Sequence, residues 1–135
     1  MARRVKVFAS VVEQMLERAR KEAPAECCGL LAGPDDAITE ILPAANASAS
    51  ANEYFIAPQD LIAALHSMRE RRMNHLGIYH SHPHTENFPS RRDIELAYYP
   101  SCAYFIISPQ SSAGRRMRAF AIQAGGVIEL EIETL

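Results

Sequence analysis

Two histidines stand two positions apart at the end of a short apolar segment. The segment Leu76–His80 has the apolar character of a buried strand, and His82 and Pro83 follow it. Because alternate residues of a strand project from the same face, both imidazoles can converge on one point. Pro83 has no backbone N–H and turns the chain away from the strand ladder. Imidazole is a common ligand of transition metals, so this pair is a candidate metal-binding unit.

A second polar pair, Ser90 and Asp93, follows after a short loop. Two histidines and a carboxylate, with a fourth position left for water, form a recurring composition of catalytic zinc sites, whereas structural zinc more often uses several thiolates. The Ser-x-x-Asp spacing also fits a helix N-cap with an acidic residue in the first turn. The two interpretations are compatible, because the start of a helix is a stiff place to mount a ligand.

A third candidate, Glu26, lies directly before the apolar run Cys27–Gly33. A carboxylate beside a buried strand is costly unless it is paired or placed at an open cleft. Glu26 is therefore either a solvated residue at a helix–strand junction or a general base held beside a metal-activated water.

The adjacent thiols Cys27 and Cys28 raise the alternative of a thiol protease with His80 as the partner. Neighbouring residues of a strand point to opposite faces, so at most one of these thiols can face the site. A role as small buried apolar residues is the simpler interpretation for both. Cys102, which precedes a predicted central strand, is also expected in the core.

A zinc deaminase is a second alternative, because His84–Glu86 imitates the His-x-Glu motif of that class. The class also requires a downstream Pro-Cys-x-x-Cys, and Pro100–Cys102 supplies one cysteine at the wrong spacing. We therefore reject the deaminase interpretation. His84 is expected in a loop near the cleft, where it can touch substrate. Arg91 and Arg92 are expected to be exposed, either as a plain solvated pair or as a contact for an acidic partner.

The elements that must position these residues follow the order α-β-β-β-α-β-α-β-β-β, which predicts an α/β fold with a mixed β-sheet flanked by helices. The predicted helices are Ser10–Glu22 with a capping box from Ser10 to Glu13, a second helix starting at Pro58, and a third over Ser90–Tyr98. The predicted strands are Cys27–Gly33, Ile38–Leu42, Glu53–Ile56, Leu76–His80, Ala103–Ser108, Arg116–Gln123 and Val127–Leu135. The small and polar segment Pro43–Asn52 is predicted as an exposed loop. Periodicity further places Ile62, Tyr98 and Ile128 on inward faces.

Composition limits the class of protein. A chain of 135 residues suits a single domain over residues 1–135. A net charge of −2 with 22% charged residues argues against a nucleic-acid binder. No apolar run reaches the ~18 residues of a membrane span, and the opening Met1–Phe8 is too short in apolar length for a signal peptide. Three cysteines, two of them adjacent, argue against a disulfide framework and favour a cytoplasmic location.

Five polar residues have been singled out above: Glu26, His80, His82, Ser90 and Asp93. Together with the Cys-Cys-Gly-Leu-Leu run that follows Glu26, they resemble the motif of the JAMM (MPN-plus) metalloprotease family. The resemblance implies a sheet-plus-helices fold of the cytidine-deaminase-like type. It implies one zinc ion per chain, bound by His80, His82 and Asp93. It also implies that Glu26 is the general acid/base and that Ser90 assists the oxyanion.

In its size and its Glu-Cys-Cys-Gly-Leu-Leu run the chain looks like the compact bacterial members, some of which act on ubiquitin-like sulfur-carrier proteins. The long insertions that build ubiquitin grooves in eukaryotic members are missing. The resemblance implies hydrolysis of a peptide, isopeptide or related acyl bond by zinc-activated water, at the C-terminal tail of a ubiquitin-like or sulfur-carrier protein. The alternative is a non-catalytic scaffold domain of the same fold, although such relatives typically lack the metal ligands.

Overall fold

The computed structural model describes residues 3–50, 52–109 and 116–135. Its helices are α1 (Ala9–Glu22), α2 (Pro58–Glu70) and α3 (Arg91–Glu95). Its strands are β1 (Arg4–Val7), β2 (Cys28–Gly33), β3 (Ala37–Ile38), β4 (Glu40–Ala44), β5 (Asn74–Ser81), β6 (Ala103–Ile107), β7 (Met117–Gln123) and β8 (Gly126–Thr134). These strands form one mixed sheet in the order β3-β1-β8-β7-β6-β5-β2-β4. The predicted α/β architecture, a mixed sheet flanked by helices, is confirmed.

The central strands β2, β5 and β6 are apolar on both faces because both faces of the sheet are covered. One core cluster packs α1 against the sheet around Met15 and Phe105, and a second lies on the other face around Leu30 and Tyr104. β5 is paired on both sides, antiparallel to β2 and parallel to β6. The end of β5 is therefore held by backbone pairing on both sides.

The register between β2 and β5 brings the start of one strand beside the end of the other. Cys28 is opposite His80, and Gly29 is opposite Tyr79. Gly29 is required there, because a Cβ atom at this position would lie 2.5 Å from the Tyr79 ring and 2.6 Å from the carbonyl oxygen of Leu42. This close approach places Glu26, two residues before Cys28, next to the histidine pair.

The amino-terminal strand β1 is absent from the sequence-based prediction, and it explains why the predicted capping box is wrong. β1 runs parallel to β8 and β3, and the N–H of Phe8 donates to the carbonyl oxygen of Ile38. Because this pairing fixes the incoming chain, α1 begins at Ala9 with Phe8 as its N-cap and with no side-chain cap. Ser10 is therefore already inside the helix and cannot cap it.

Three further element predictions are wrong, two of them because sheet pairing overrides local pattern. The predicted strand Ile38–Leu42 is divided between β3, which pairs with β1, and β4, which pairs with β2 at the opposite edge. The predicted strand Glu53–Ile56 contributes a single bridge between Asn46 and Ile56. The third helix ends at Glu95, earlier than the predicted Tyr98.

Three apolar residues predicted to face inward are exposed. Ile62, Tyr98 and Ile128 are 68%, 69% and 58% exposed. Ile62 lies two residues before Ala64, which α2 buries, and a two-residue step moves to the opposite side of a helix. Tyr98 lies beyond the end of α3. Ile128 is close to the β7–β8 turn and belongs to neither core cluster. Within the described ranges, no helix is both long and apolar enough to cross a membrane.

The three cysteines are free thiols in the core. Cys27 belongs to the cluster on the α1 face and Cys28 to the cluster on the other face, which confirms that the two point in opposite directions. Burial raises the pKa of Cys27, and it raises the pKa of Cys28 and of Cys102 to about 12. Such thiols are protonated and shielded at neutral pH, so they lack the properties of a nucleophile.

We expect the folded protein to resist alkylation by iodoacetamide at pH 8, because the reagent needs an accessible thiolate. The unfolded protein should take up three adducts under the same conditions. Intact mass spectrometry of both samples checks this. Rapid modification of Cys27 in the folded protein would contradict the assignment of the cysteines to the core.

Candidate active site

The two histidines lie at the end of β5, and the sheet buries both. His80 pairs with Cys28 on one side and Ile106 on the other. The N–H of His82 donates to the carbonyl oxygen of Ile107, which extends the pairing one residue past the strand. The two side chains are 1% and 4% exposed. Their ring nitrogens Nε2 lie 3.1 Å apart, so the rings do converge as the strand geometry predicts.

Asp93 reaches the histidines from the first turn of α3. The N–H of Asp93 donates to Ser90 Oγ at 3.1 Å, and the N–H of Ser90 donates to Asp93 Oδ2 at 2.9 Å. This reciprocal arrangement is a capping box, and it confirms the predicted N-cap. The same Oδ2 atom lies 3.1 Å from His80 Nε2 and 3.0 Å from His82 Nε2. The cap therefore fixes the carboxylate as well as the helix.

The donor atoms of this cluster fit a metal ion. His80 Nε2, His82 Nε2 and Asp93 Oδ2 lie 3.0–3.1 Å from one another. In a tetrahedral zinc site with bonds near 2.0–2.1 Å, neighbouring ligand atoms are separated by roughly 3.3 Å. His82 Nδ1 lies 2.8 Å from the carbonyl oxygen of Glu86, which can only accept, so the proton of a neutral ring sits on Nδ1. The Nε2 lone pair of His82 is then directed at the cluster.

The electrostatics of the cluster keep the carboxylate ionised. Burial by itself would raise the pKa of Asp93, but the close contacts of its carboxylate with both imidazoles outweigh it and hold that pKa well below its usual range. Burial lowers the pKa of the fully enclosed His80. For His82, burial is outweighed by the hydrogen bonds to Asp93 and to the carbonyl of Glu86, so its pKa is raised. One anion thus faces two imidazoles in a space closed to solvent.

Glu26 lies beside this cluster. One of its carboxylate oxygens and one ring nitrogen from each of His80 and His82 lie within 4.8 Å of one another. The residue is 6% exposed, and its Oε1 atom has no hydrogen-bond partner in the part of the chain that the structure describes. Burial raises the pKa of Glu26 to about 7. A carboxyl group with this pKa can both accept and release a proton near neutral pH.

The backbone next to Glu26 is tied to β5. The N–H of Cys27 donates to Ser81 Oγ at 2.8 Å, and the N–H of Ser81 donates to the carbonyl oxygen of Cys27 at 3.1 Å. Ser81, the residue between the two histidines, is therefore a structural link rather than a reactant. These two bonds fix the distance between the Glu26 segment and the histidine pair.

Two residues of the site, Asn46 and Tyr54, were missed by the sequence analysis. The side-chain amide of Asn46 donates to the carbonyl oxygens of Glu26 and Glu53, and its oxygen accepts from the N–H groups of Ser48 and Phe55. Tyr54 stacks on the His80 ring. Asn46 lies in the predicted loop Pro43–Asn52 and Tyr54 in the predicted strand Glu53–Ile56, and neither pattern indicates a role in the site.

The other polar residues near the motif do not join the cluster. His84 is exposed in the loop after Pro83. Arg91 and Arg92 are solvent-exposed at the start of α3, where they pair with Glu95. The three thiols also lie outside the cluster, as described above.

A cleft of about 630 Å³ opens beside Glu26. One side is formed by α1, which contributes Arg18, and another by the end of β4 and the residues after it. Small side chains line that second side at Ala44, Ala45, Ser48, Ala49 and Ser50. β4 is the last strand of the sheet at this edge. The cleft therefore connects the buried carboxyl group with a strand edge that pairs with no other strand among the described residues.

Comparison with known proteins assigns the family. A family model described as prokaryotic homologs of the JAB domain matches residues 8–123. The CysO-cysteine peptidase of Mycobacterium tuberculosis is 33% identical over 125 residues, which cover 91% of this chain and 86% of that protein. The desampylase of Haloferax volcanii is 35% identical over 103 residues, which cover 74% of each chain.

The fold is also found among solved structures. A Desulfitobacterium hafniense protein of known solution structure superposes with a TM-score of 0.85 and 33% identity, covering 97% of this chain and 92% of that one. Sequence and structure thus agree over nearly the whole chain. The chain belongs to the family of prokaryotic JAB-domain homologues, the compact bacterial branch of the JAMM family, and it is a JAMM-type hydrolase.

Proposed function

We propose that this chain is a zinc-dependent peptidase that cleaves a peptide, isopeptide or related acyl bond at the C-terminal tail of a ubiquitin-like or sulfur-carrier protein. The observation that carries the proposal is the buried convergence of two imidazoles and one carboxylate, with a second carboxyl group beside them. Folding does not require a buried polar cluster of this kind, because apolar side chains of similar volume would stabilise the core as well.

Two carboxylates surround the histidines, and their environments assign them different roles. Asp93 contacts both Nε2 atoms directly and stays ionised, which suits a ligand of zinc. Glu26 lies within 4.8 Å of both ring nitrogens, its Oε1 makes no hydrogen bond to the described residues, and burial raises its pKa, which suits an acid/base. We therefore assign the zinc ligands to His80, His82 and Asp93, and the proton transfers to Glu26.

The chemistry follows from these positions. Zinc, when bound, lowers the pKa of a water toward about 7 and polarises the scissile carbonyl. Glu26 takes a proton from the attacking water and delivers it to the leaving group. Ser90 Oγ accepts from the N–H of Asp93, which leaves its own hydroxyl hydrogen free to donate to the carbonyl oxygen as negative charge develops there.

The cleft beside Glu26 supports an extended tail as the substrate. A peptide can add to the free edge of β4 as a further strand, and its backbone would then run past Glu26. The small side chains along the cleft leave room for a backbone to approach. The M. tuberculosis relative is named a CysO-cysteine peptidase, and for this chain we propose a carrier joined to cysteine as one such substrate. Recognition of such a tail along the strand edge would let the chain select its substrates without large insertions.

The direct test uses the zinc-loaded protein and a ubiquitin-like carrier whose tail ends in Gly-Gly. The carrier is presented free, as a C-terminal cysteine adduct and as a lysine isopeptide conjugate, and intact mass spectrometry follows each. We expect at least one conjugate to return to the free carrier, and we expect a chelator to stop the reaction and added zinc to restore it. Stoichiometric zinc binding with no cleavage of any conjugate would contradict the proposed substrate class. A metal-free protein that folds normally would favour the scaffold alternative.

Replacement of Glu26 by Gln tests the proton-transfer role. The amide keeps the shape of the side chain but cannot take a proton, so we expect kcat to fall roughly 100- to 10,000-fold. The zinc content should stay at one ion per chain, because Glu26 is not assigned as a ligand. A matched control is Glu13→Gln, which alters an exposed residue of α1 and should leave kcat unchanged. Loss of zinc from Glu26→Gln, or full activity, would refute the assignment.

A further inference from the structure

The two histidines of the site are held in different ways. His82 has a partner at each ring nitrogen, because its Nδ1 donates to the carbonyl oxygen of Glu86 while its Nε2 faces the cluster. His80 Nε2 faces the cluster too, but its buried Nδ1 atom has no hydrogen-bond partner within the described ranges. The usual restraint on a metal-binding imidazole, a hydrogen bond at the other nitrogen, is therefore missing from His80.

An aromatic ring takes the place of that hydrogen bond. The ring of Tyr54 lies parallel to the His80 ring, with centroids 4.2 Å apart and planes inclined by 17°. Both residues are buried, at 5% and 1% exposure. If the imidazole turned about its Cβ–Cγ bond, it would lose the stacking contact and move Nε2 away from Asp93. The Tyr54 ring thus restrains the orientation that the ligand role of His80 requires.

Tyr54 is itself fixed in place from two directions. Its side chain belongs to the core cluster that also contains Leu30. The backbone on both sides of it is bound to Asn46, through the carbonyl oxygen of Glu53 at 3.0 Å and the N–H of Phe55 at 3.0 Å. Because the Asn46 side chain also donates to the carbonyl oxygen of Glu26 at 3.1 Å, the Tyr54 and Glu26 segments share one frame.

We propose that Tyr54 is a positioning residue that holds the His80 imidazole in its metal-binding orientation by ring stacking, in place of the missing hydrogen bond at Nδ1. The inference rests on the proposed function, since it needs His80 to bind zinc. The restraint comes from the ring and not from the hydroxyl group. Phenylalanine should therefore replace tyrosine, whereas an aliphatic residue of similar bulk should not.

The test compares Tyr54→Phe and Tyr54→Leu with the wild-type chain. Zinc dissociation constants are measured by competition with a chromophoric chelator, and cobalt(II) is bound in place of zinc to record its visible absorption spectrum. We expect Tyr54→Leu to weaken zinc binding roughly 10- to 100-fold and to change the cobalt spectrum. We expect Tyr54→Phe to keep the wild-type affinity and spectrum. The matched control is Phe55→Leu, which removes the neighbouring, half-exposed ring that does not stack on His80.

Far-UV circular dichroism and melting of the metal-free variants separate a positioning role from a loss of folding. If Tyr54→Leu folds like the wild type and binds zinc with the wild-type affinity and cobalt spectrum, the inference is overturned. If Tyr54→Leu does not fold, NMR of the wild type decides, because ring stacking shifts the His80 ring protons upfield of those of His82. No such shift overturns the inference. If the wild type binds no zinc, the proposed function fails first, so the two failures are distinguishable.

Discussion

Three polar atoms, His80 Nε2, His82 Nε2 and Asp93 Oδ2, meet within 3.1 Å of one another in a space that solvent does not reach. Burying polar groups so closely is costly unless each is paired, and a fold tolerates it only where the surrounding structure holds the groups in place. The surrounding strands and helix hold these three atoms in place. β5 is clamped between β2 and β6, and the capping box of α3 fixes the carboxylate.

The pairing of β2 with β5 has a second consequence for the chemistry. It places the Glu26 segment beside the end of β5, where the reciprocal bonds between Cys27 and Ser81 lock it. The Asn46 amide then connects the same segment to the loop that contains Tyr54. Residues 26–27, 46–55 and 81 are thereby held at one point by a few hydrogen bonds. A site assembled in this way is preorganised, so little reorganisation is needed when a substrate arrives.

The parts of the site that follow local rules could be predicted from the sequence. His80 and His82 share a face because a strand has a period of two. Ser90 caps α3 and bonds reciprocally with Asp93, because a capping box has a fixed spacing. The role of Glu26 was ambiguous at that level, since burial next to a strand depends on tertiary pairing. The position of Glu26 in the sequence fits both a solvated residue and a general base, and only the resemblance to JAMM proteases favours the general base.

Features that depend on long-range pairing could not be predicted. The segment Ile38–Leu42 has the pattern of one strand, but β3 and β4 lie at opposite edges of the sheet, and only the pairing with β1 and β2 shows this. Asn46 lies in a segment of small polar residues that looks like any exposed loop. Tyr54 was predicted within a strand, although its importance comes from the ring that it stacks on His80. Ile62 and Ile128 fit an inward pattern, but both are exposed, and no element of the described ranges covers them.

The central claim is that the converging atoms form a metal site with Glu26 free beside it. Crystals of the zinc-loaded protein, measured at the zinc absorption edge, test it most directly, because anomalous scattering locates the ion without reference to activity. The account predicts one zinc ion per chain, bound by His80, His82 and Asp93. An ion bound by Glu26 in place of Asp93, or no ion at this cluster, would contradict it.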